Sequence, residues 1–155
     1  MIKINVITNN NNWHQFIKRP NNYIDQKIKI LNSKEKIFVK KNFFCSLLLS
    51  NNREIKDLNY KFRKKNKTTD VLSFPFQSKH ELKRNLKKEK EIYLGDIIIN
   101  LGKIKNKNNI PKFKIEFDKL WIHGLVHLLG HDHKNDKDFF KMRLVEKKYM
   151  NLING

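Results

Sequence analysis

Apolar and polar side chains alternate over Lys3–Thr8, the period of a half-buried strand. Over Tyr23–Leu31 the period changes, and Ile24, Ile28 and Leu31 recur at helical spacing. Phe43–Leu49 is a continuous apolar run closed by Ser50, Asn51 and Asn52, which predicts a buried strand ending in a turn. Asn51 with Glu54 three residues on has the form of a capping box, opening a helix with Ile55, Leu58, Asn59 and Phe62 on one face. Asp70–Phe76 reads as a strand, with Pro75 marking an edge or a strand end, and Ile92–Asn100 as another, interrupted by Gly95. Gln77–Glu91 between them is charged and nearly all polar, and is expected to be a long mobile connection.

Pro111–Gly130 has a different pattern. Phe113, Phe117, Leu120, Trp121, Gly124 and Leu128 form one helical face, while Ile122, Leu125 and Leu129 line the opposite side. A helix apolar nearly all round is buried, so this segment is the predicted central helix, with Gly130 as its stop. A last helix is expected from Asn135 or Asp136, carrying Phe139, Phe140, Leu144 and Val145. Strands interspersed with helices, without strict alternation, predict an α+β (mixed α/β) fold. No internal repeat or composition break divides the chain, so residues 1–155 are expected to be one domain.

The 155 residues are 39% hydrophobic, enough to bury one modest core. No secretory h-region follows Met1, and the longest apolar runs are far too short to span a bilayer, so a cytoplasmic protein off the membrane is expected. The single cysteine, Cys45, excludes an internal disulfide, and its apolar neighbours predict a buried small hydrophobe. The net charge of +19 attracts polyanions, nucleic acid above all. Of the 34 cationic residues, however, 29 are lysine, and Asn and Ile are also abundant. All three have A/T-rich codons, so mutational bias would scatter lysine over every solvated face, and the charge argues only weakly for RNA.

The chemistry lies in His-Gly-Leu-Val-His-Leu-Leu-Gly-His-Asp-His, residues 123–133. On a helix, His123 and His127 share one face with Cβ atoms roughly 5–6 Å apart, close enough for two imidazoles to hold one ion. If the helix continued, His131 would lie about 12 Å along the axis from His123 and out of reach. If it stops at Gly130, His131 and His133 are both candidates for a third ligand. The spacing His-x3-His-x5-His, with glycine at the turn, is that of the metzincin zinc proteases and favours His133. Three histidines leave a coordination position open, which is a catalytic arrangement, since a closed structural site wants a fourth ligand. Zinc proteases of the His-Glu-x-x-His type also need a glutamate base, and that position here is Gly124. Asp132 is placed either to orient a ligand histidine or to cap the turn; Asp70 is either a turn residue or a site residue.

At this point the sequence resembles the YbeY family of bacterial single-strand-specific endoribonucleases. The family's His-Gly-x-x-His-Leu-x-Gly-Tyr-Asp-His matches His123 to His133, followed by Asp136, Asp138, Met142 and Glu146. A second block is Tyr60-Lys-Phe-Arg63 with Thr69-Asp-Val-Leu-Ser-Phe-Pro75, and a third is Leu94-Gly-Asp-Ile-Ile-Ile99. His131 stands where the family usually has tyrosine, Thr68 where it has proline, and Asp138 where it has glutamate. The resemblance implies a small four-stranded mixed sheet packed with helices around the metal-bearing helix, and one Zn2+ per chain on His123, His127 and His133. It also implies an arginine near the metal that contacts the RNA, by position Arg63, with Lys65 a further candidate for a phosphate contact. The implied work is maturation of the 3′ end of 16S rRNA and ribosome quality control, on the ribosome or its small subunit. Two rival expectations are an RNA-binding assembly factor with a non-catalytic zinc and a metalloprotease.

Overall fold

The first alternation forms β1 (Ile2–Thr8), which buries Ile2, Ile4 and Val6. The computed structural model describes residues 1–155. β2 (Asn42–Ser50), β3 (Val71–Pro75) and β4 (Glu91–Asn100) complete one sheet in the order β1-β2-β4-β3. β1, β2 and β4 run parallel, and β3 is antiparallel on the edge beside β4. The helices are α1 (Pro20–Lys34), α2 (Lys36–Lys40), α3 (Asn52–Arg63), α4 (Lys79–Lys88), α5 (Ile110–Leu128) and α6 (Asp136–Asn154). The class is the expected α+β with a four-stranded mixed sheet. No helix is long and apolar enough to cross a membrane.

α5 is buried on nearly every side and carries Phe113, Phe117, Trp121, Ile122, Leu125 and Val126 into the main core with α1, α6 and one face of the sheet. Asn109 caps its start by accepting from the Lys112 N–H, 3.0 Å away. Asp118 ties it to α1: the buried carboxylate accepts from Trp121 Nε1 (2.8 Å) and Tyr23 OH (3.0 Å) and pairs with Lys27 at 3.2 Å. Burial pushes the Asp118 pKa up, and these three donors oppose that shift. Farther along, Gly124 lets α5 touch the sheet. A Cβ there would lie 2.6 Å from Ile97 Cγ2, so Gly124→Ala must lift the helix or force Ile97 aside. It is expected to cost about 1–3 kcal/mol, read as a lower denaturant midpoint at unchanged slope.

The other face of the sheet has only α3 over it, in a small cluster of Ile55, Leu72 and Ile98. Asn51 caps α3 as predicted, but Glu54 turns to Ser50 Oγ (2.6 Å) instead of closing the box. Phe62 of the predicted apolar face lies exposed. Buried Asn100 joins the end of β4 to α3 and to the loop before β3, donating to Asn52 Oδ1, Thr68 Oγ1 and the Thr69 carbonyl. A bulge in β4 opposite Phe44 and Cys45 contains Gly95 at φ +132°. Any Cβ there would run into the Phe74 carbonyl, so only glycine lets β3 close on β4.

Along β3 the hydrogen bonds alternate. Asp70 and Phe76 bond β4 through Asn100 N–H→Asp70 O and Phe76 N–H→Leu94 O, both 2.9 Å. Residues 71, 73 and 75 therefore turn their main-chain groups to the open side. Cys45 is buried as expected, and burial pushes its thiol up to about 12.

Two expectations need correction. Gln77–Glu91 is no mobile connection: it contains α4, opened by a full capping box in which Ser78 Oγ accepts from Glu81 N–H and Glu81 accepts from Ser78 N–H. Leu82 and Leu86, one turn apart, seat it on the core. The predicted apolar face of the last helix is mostly outside. Phe139, Phe140 and Leu144 are 52%, 64% and 53% exposed, and α6 docks instead through Met142, Tyr149 and Ile153. The segment before α1 holds a short 3-10 turn, Asn11–Gln15, that buries Trp13 with its indole N–H on the Ser50 carbonyl at 3.0 Å.

Candidate metal centre

His123 and His127 sit one turn apart on the last turns of α5, with ring centroids 4.6 Å apart. The helix ends in a Schellman motif: Gly130 N–H donates to the His127 carbonyl and His131 N–H to the Val126 carbonyl. Gly130 adopts φ +93°, the left-handed conformation that motif requires. The reversal returns His133 to the first two rings, with centroids 6.2 Å from His123 and 5.1 Å from His127. One nitrogen from each of the three lies within 4.8 Å of the others.

Two of the rings have their tautomer set from behind. His123 Nδ1 lies 2.6 Å from Glu146 Oε1, and His127 Nδ1 lies 3.0 Å from the His131 carbonyl oxygen. Both oxygens accept, so each Nδ1 carries the proton and each Nε2 keeps a free lone pair. Burial first, then the neighbouring His123, holds the His127 pKa below its ordinary value, so the ring stays neutral and able to ligate into mildly acidic solution. Three imidazoles, two already oriented, with no thiolate or fourth donor among them, would hold a divalent metal in an open, three-ligand arrangement.

His131 does not join the cluster. Its carbonyl orients His127, while its ring lines the cleft, its pKa lowered by burial and by the charges of Lys79 and Lys141. Asp132 proves to be a turn cap, its Oδ1 accepting from the His133 N–H at 2.8 Å. Burial alone would raise its pKa; that N–H and the Lys134 charge overcome it and hold the carboxyl low. The residue behind His123 is Glu146, delivered from α6. The sequence places Glu146 in the matching pattern but does not reveal its partner, because the contact depends on how α6 docks. Glu146→Gln keeps the size and loses the charge. It is expected to weaken metal affinity roughly 10–100-fold, measured by competition with a chromophoric chelator.

The three histidines open on a cleft of about 820 Å³. Arg63, Thr69, Asp70, Ser73 and Phe76 line the same cleft. Arg63 is the last residue of α3, and Lys64 after it turns the chain at φ 57°. The guanidinium donates through Nη2 to the Ser73 carbonyl at 2.9 Å and stacks 5.6 Å from the Phe74 ring centre. That bond uses one of five N–H donors and leaves the rest for an anion. Asp70 lines the same cleft, and its Oδ1 accepts from the Val71 N–H as a turn residue does. Lys65 is outside the cleft wall, in the exposed turn pinned by Asn59.

Fold and site together define an α+β protein that sets a three-histidine cluster, suited to a divalent metal, and an arginine in one open cleft. The family model described as Endoribonuclease YbeY matches residues 6–154, and the chain belongs to that family. It is 45% identical over 144 residues to the Endoribonuclease YbeY of Pelagibacter ubique, covering 92% of this chain and 90% of that one. To the Endoribonuclease YbeY of Ehrlichia canis it is 34% identical, covering 99% and 93%. A solution structure of a Thermotoga maritima protein superposes with a TM-score of 0.58 at 26% identity, over 99% of this chain and 89% of that one. Membership of an endoribonuclease family implies an RNA-cleaving hydrolase with an RNA substrate.

Proposed function

We propose that residues 1–155 form a single zinc-dependent domain that cleaves single-stranded RNA, maturing the 3′ end of 16S rRNA and serving ribosome quality control. The observation that carries this is the convergence of His123, His127 and His133 within 4.8 Å in a cleft that Arg63 also lines. An rRNA substrate places the work in the cytoplasm, on the ribosome or its small subunit, and a +19 chain is drawn to that polyanion.

When bound by the three histidines, zinc supplies Lewis-acid polarisation of a phosphoryl oxygen and activation of a hydroxyl nucleophile. The chain's own groups do the rest. Glu146 and the His131 carbonyl hold two ligand rings in the right tautomer. Arg63, anchored on Ser73 and Phe74, presents its free N–H groups to the scissile phosphate, where negative charge builds in the transition state. Lys65, beyond the cleft, is assigned to a more distant phosphate.

A peptidase reading fails on Gly124. That position faces Ile97 in the sheet, and a Cβ there already collides, so the helix offers no place for the glutamate base. The test is cleavage of one oligoribonucleotide as a single strand and as a duplex, with and without chelator. Cleavage of the single strand alone, lost on chelation and restored by zinc, is expected. Equal cleavage with chelator present, or none under any condition, would overturn the reading. Product ends identify the nucleophile: a 2′,3′-cyclic phosphate requires the ribose 2′-OH, a 5′-phosphate requires water.

A further inference from the structure

Phe76 is the most exposed large apolar side chain of the molecule, at 71%, and it is among the residues lining the cleft that the three histidines share. Exposed phenylalanines are common, but this one is held in place. Its N–H is bonded to the Leu94 carbonyl, Pro75 precedes it, and Gly95 packs so closely beneath that a Cβ there would lie 2.8 Å from Phe76 N. Tyr93 braces the ring edge-on, at 5.4 Å and 78°, and Tyr93 is itself fixed by donating to Asp96 at 2.6 Å. The ring is thus braced yet exposed, and the same cleft is lined by Arg63, which stacks on a second phenylalanine.

We infer that Phe76 is a stacking platform for an unpaired base of the RNA strand lying in the cleft. The inference rests on the RNA reading above and adds to it the group that binds a base. A phenyl ring has no polar atom with which to hold phosphate or ribose. What it offers is a flat apolar face, and every nucleobase has a matching one. A base inside a duplex is stacked on both sides and has no face free, so the platform rejects paired RNA and accepts any unpaired sequence. Its preset position means that little side-chain freedom is lost on binding.

The experiment measures binding of the full-length chain to a short fluorescein-labelled single-stranded oligoribonucleotide, with the probe's integrity checked on a gel. Phe76→Ala is expected to weaken binding about tenfold, and Phe76→Trp to restore it. A series of probes, each lacking one base, completes the cycle: at one position the missing base removes the difference between native protein and Phe76→Ala. Because the side chain is exposed, the melting temperature should not change. Equal affinity of native and Phe76→Ala protein, or a loss of the same size on every abasic probe, would overturn the inference and leave the cleavage reading standing. A native chain that binds no single-stranded RNA would overturn both.

Discussion

His127→Ala is expected to leave a folded protein that neither retains zinc nor cuts RNA. Removing an outer partner of a ligand typically costs about 10–100-fold in affinity, so removing a ligand itself should cost on the order of 10³-fold or more. Two imidazoles remain, and one of them, His133, is on the exposed turn after Gly130 and not on the rigid helix. The fold should survive, because His127 is half-buried at the cleft and outside the main core. Metal analysis after dialysis should give one zinc per native chain and a small fraction of that in the variant. Zinc should raise the melting temperature of the native chain and not of the variant. A variant that keeps both metal and activity would show that the ion, or the nuclease, is elsewhere.

Changes at Arg63 should separate chemistry from metal binding. Arg63→Ala removes the only guanidinium on the cleft wall and is expected to lower kcat about 10²–10³-fold, the size seen when a preorganised transition-state donor is lost. Zinc content should not change. Arg63→Lys is the sharper probe. An ammonium has no planar fork, so it cannot hold the Ser73 carbonyl, stack on Phe74 and present two parallel donors to phosphate at once. It should recover less than a tenth of native kcat while restoring much of the salt-dependent affinity for RNA. Full activity in Arg63→Lys would reduce the residue to a simple positive charge.

The cluster of histidines was the most legible part of the site, for a physical reason. Helical period fixes the His123–His127 pair, and a glycine that must take positive φ fixes the reversal that returns His133. Arg63 was not legible from its own surroundings, a run of lysines, and came only with the family blocks. Glu146 belongs to a contact between α5 and α6, which no local pattern encodes. The strands were readable because one face of the sheet is largely buried, and α5 because it is apolar nearly all round. α4 was hidden by its charge although Ser78-Lys-His-Glu81 spells a capping box that the eventual fold uses in full. Phe139 and Phe140 misled in the opposite sense: helical spacing shows that residues share a face, and only docking decides whether that face is covered.

The alternation along β3 has a consequence for solubility. A chain trying to extend the sheet from that side would find the Ser73 oxygen already occupied by Arg63 and a proline ring where it needs an amide hydrogen at position 75. Templated growth, the usual hazard of a bare flank, is thereby blocked at the border that faces the cleft. Diffusing ligands can still enter there, while copies of the same polypeptide are denied a zipper.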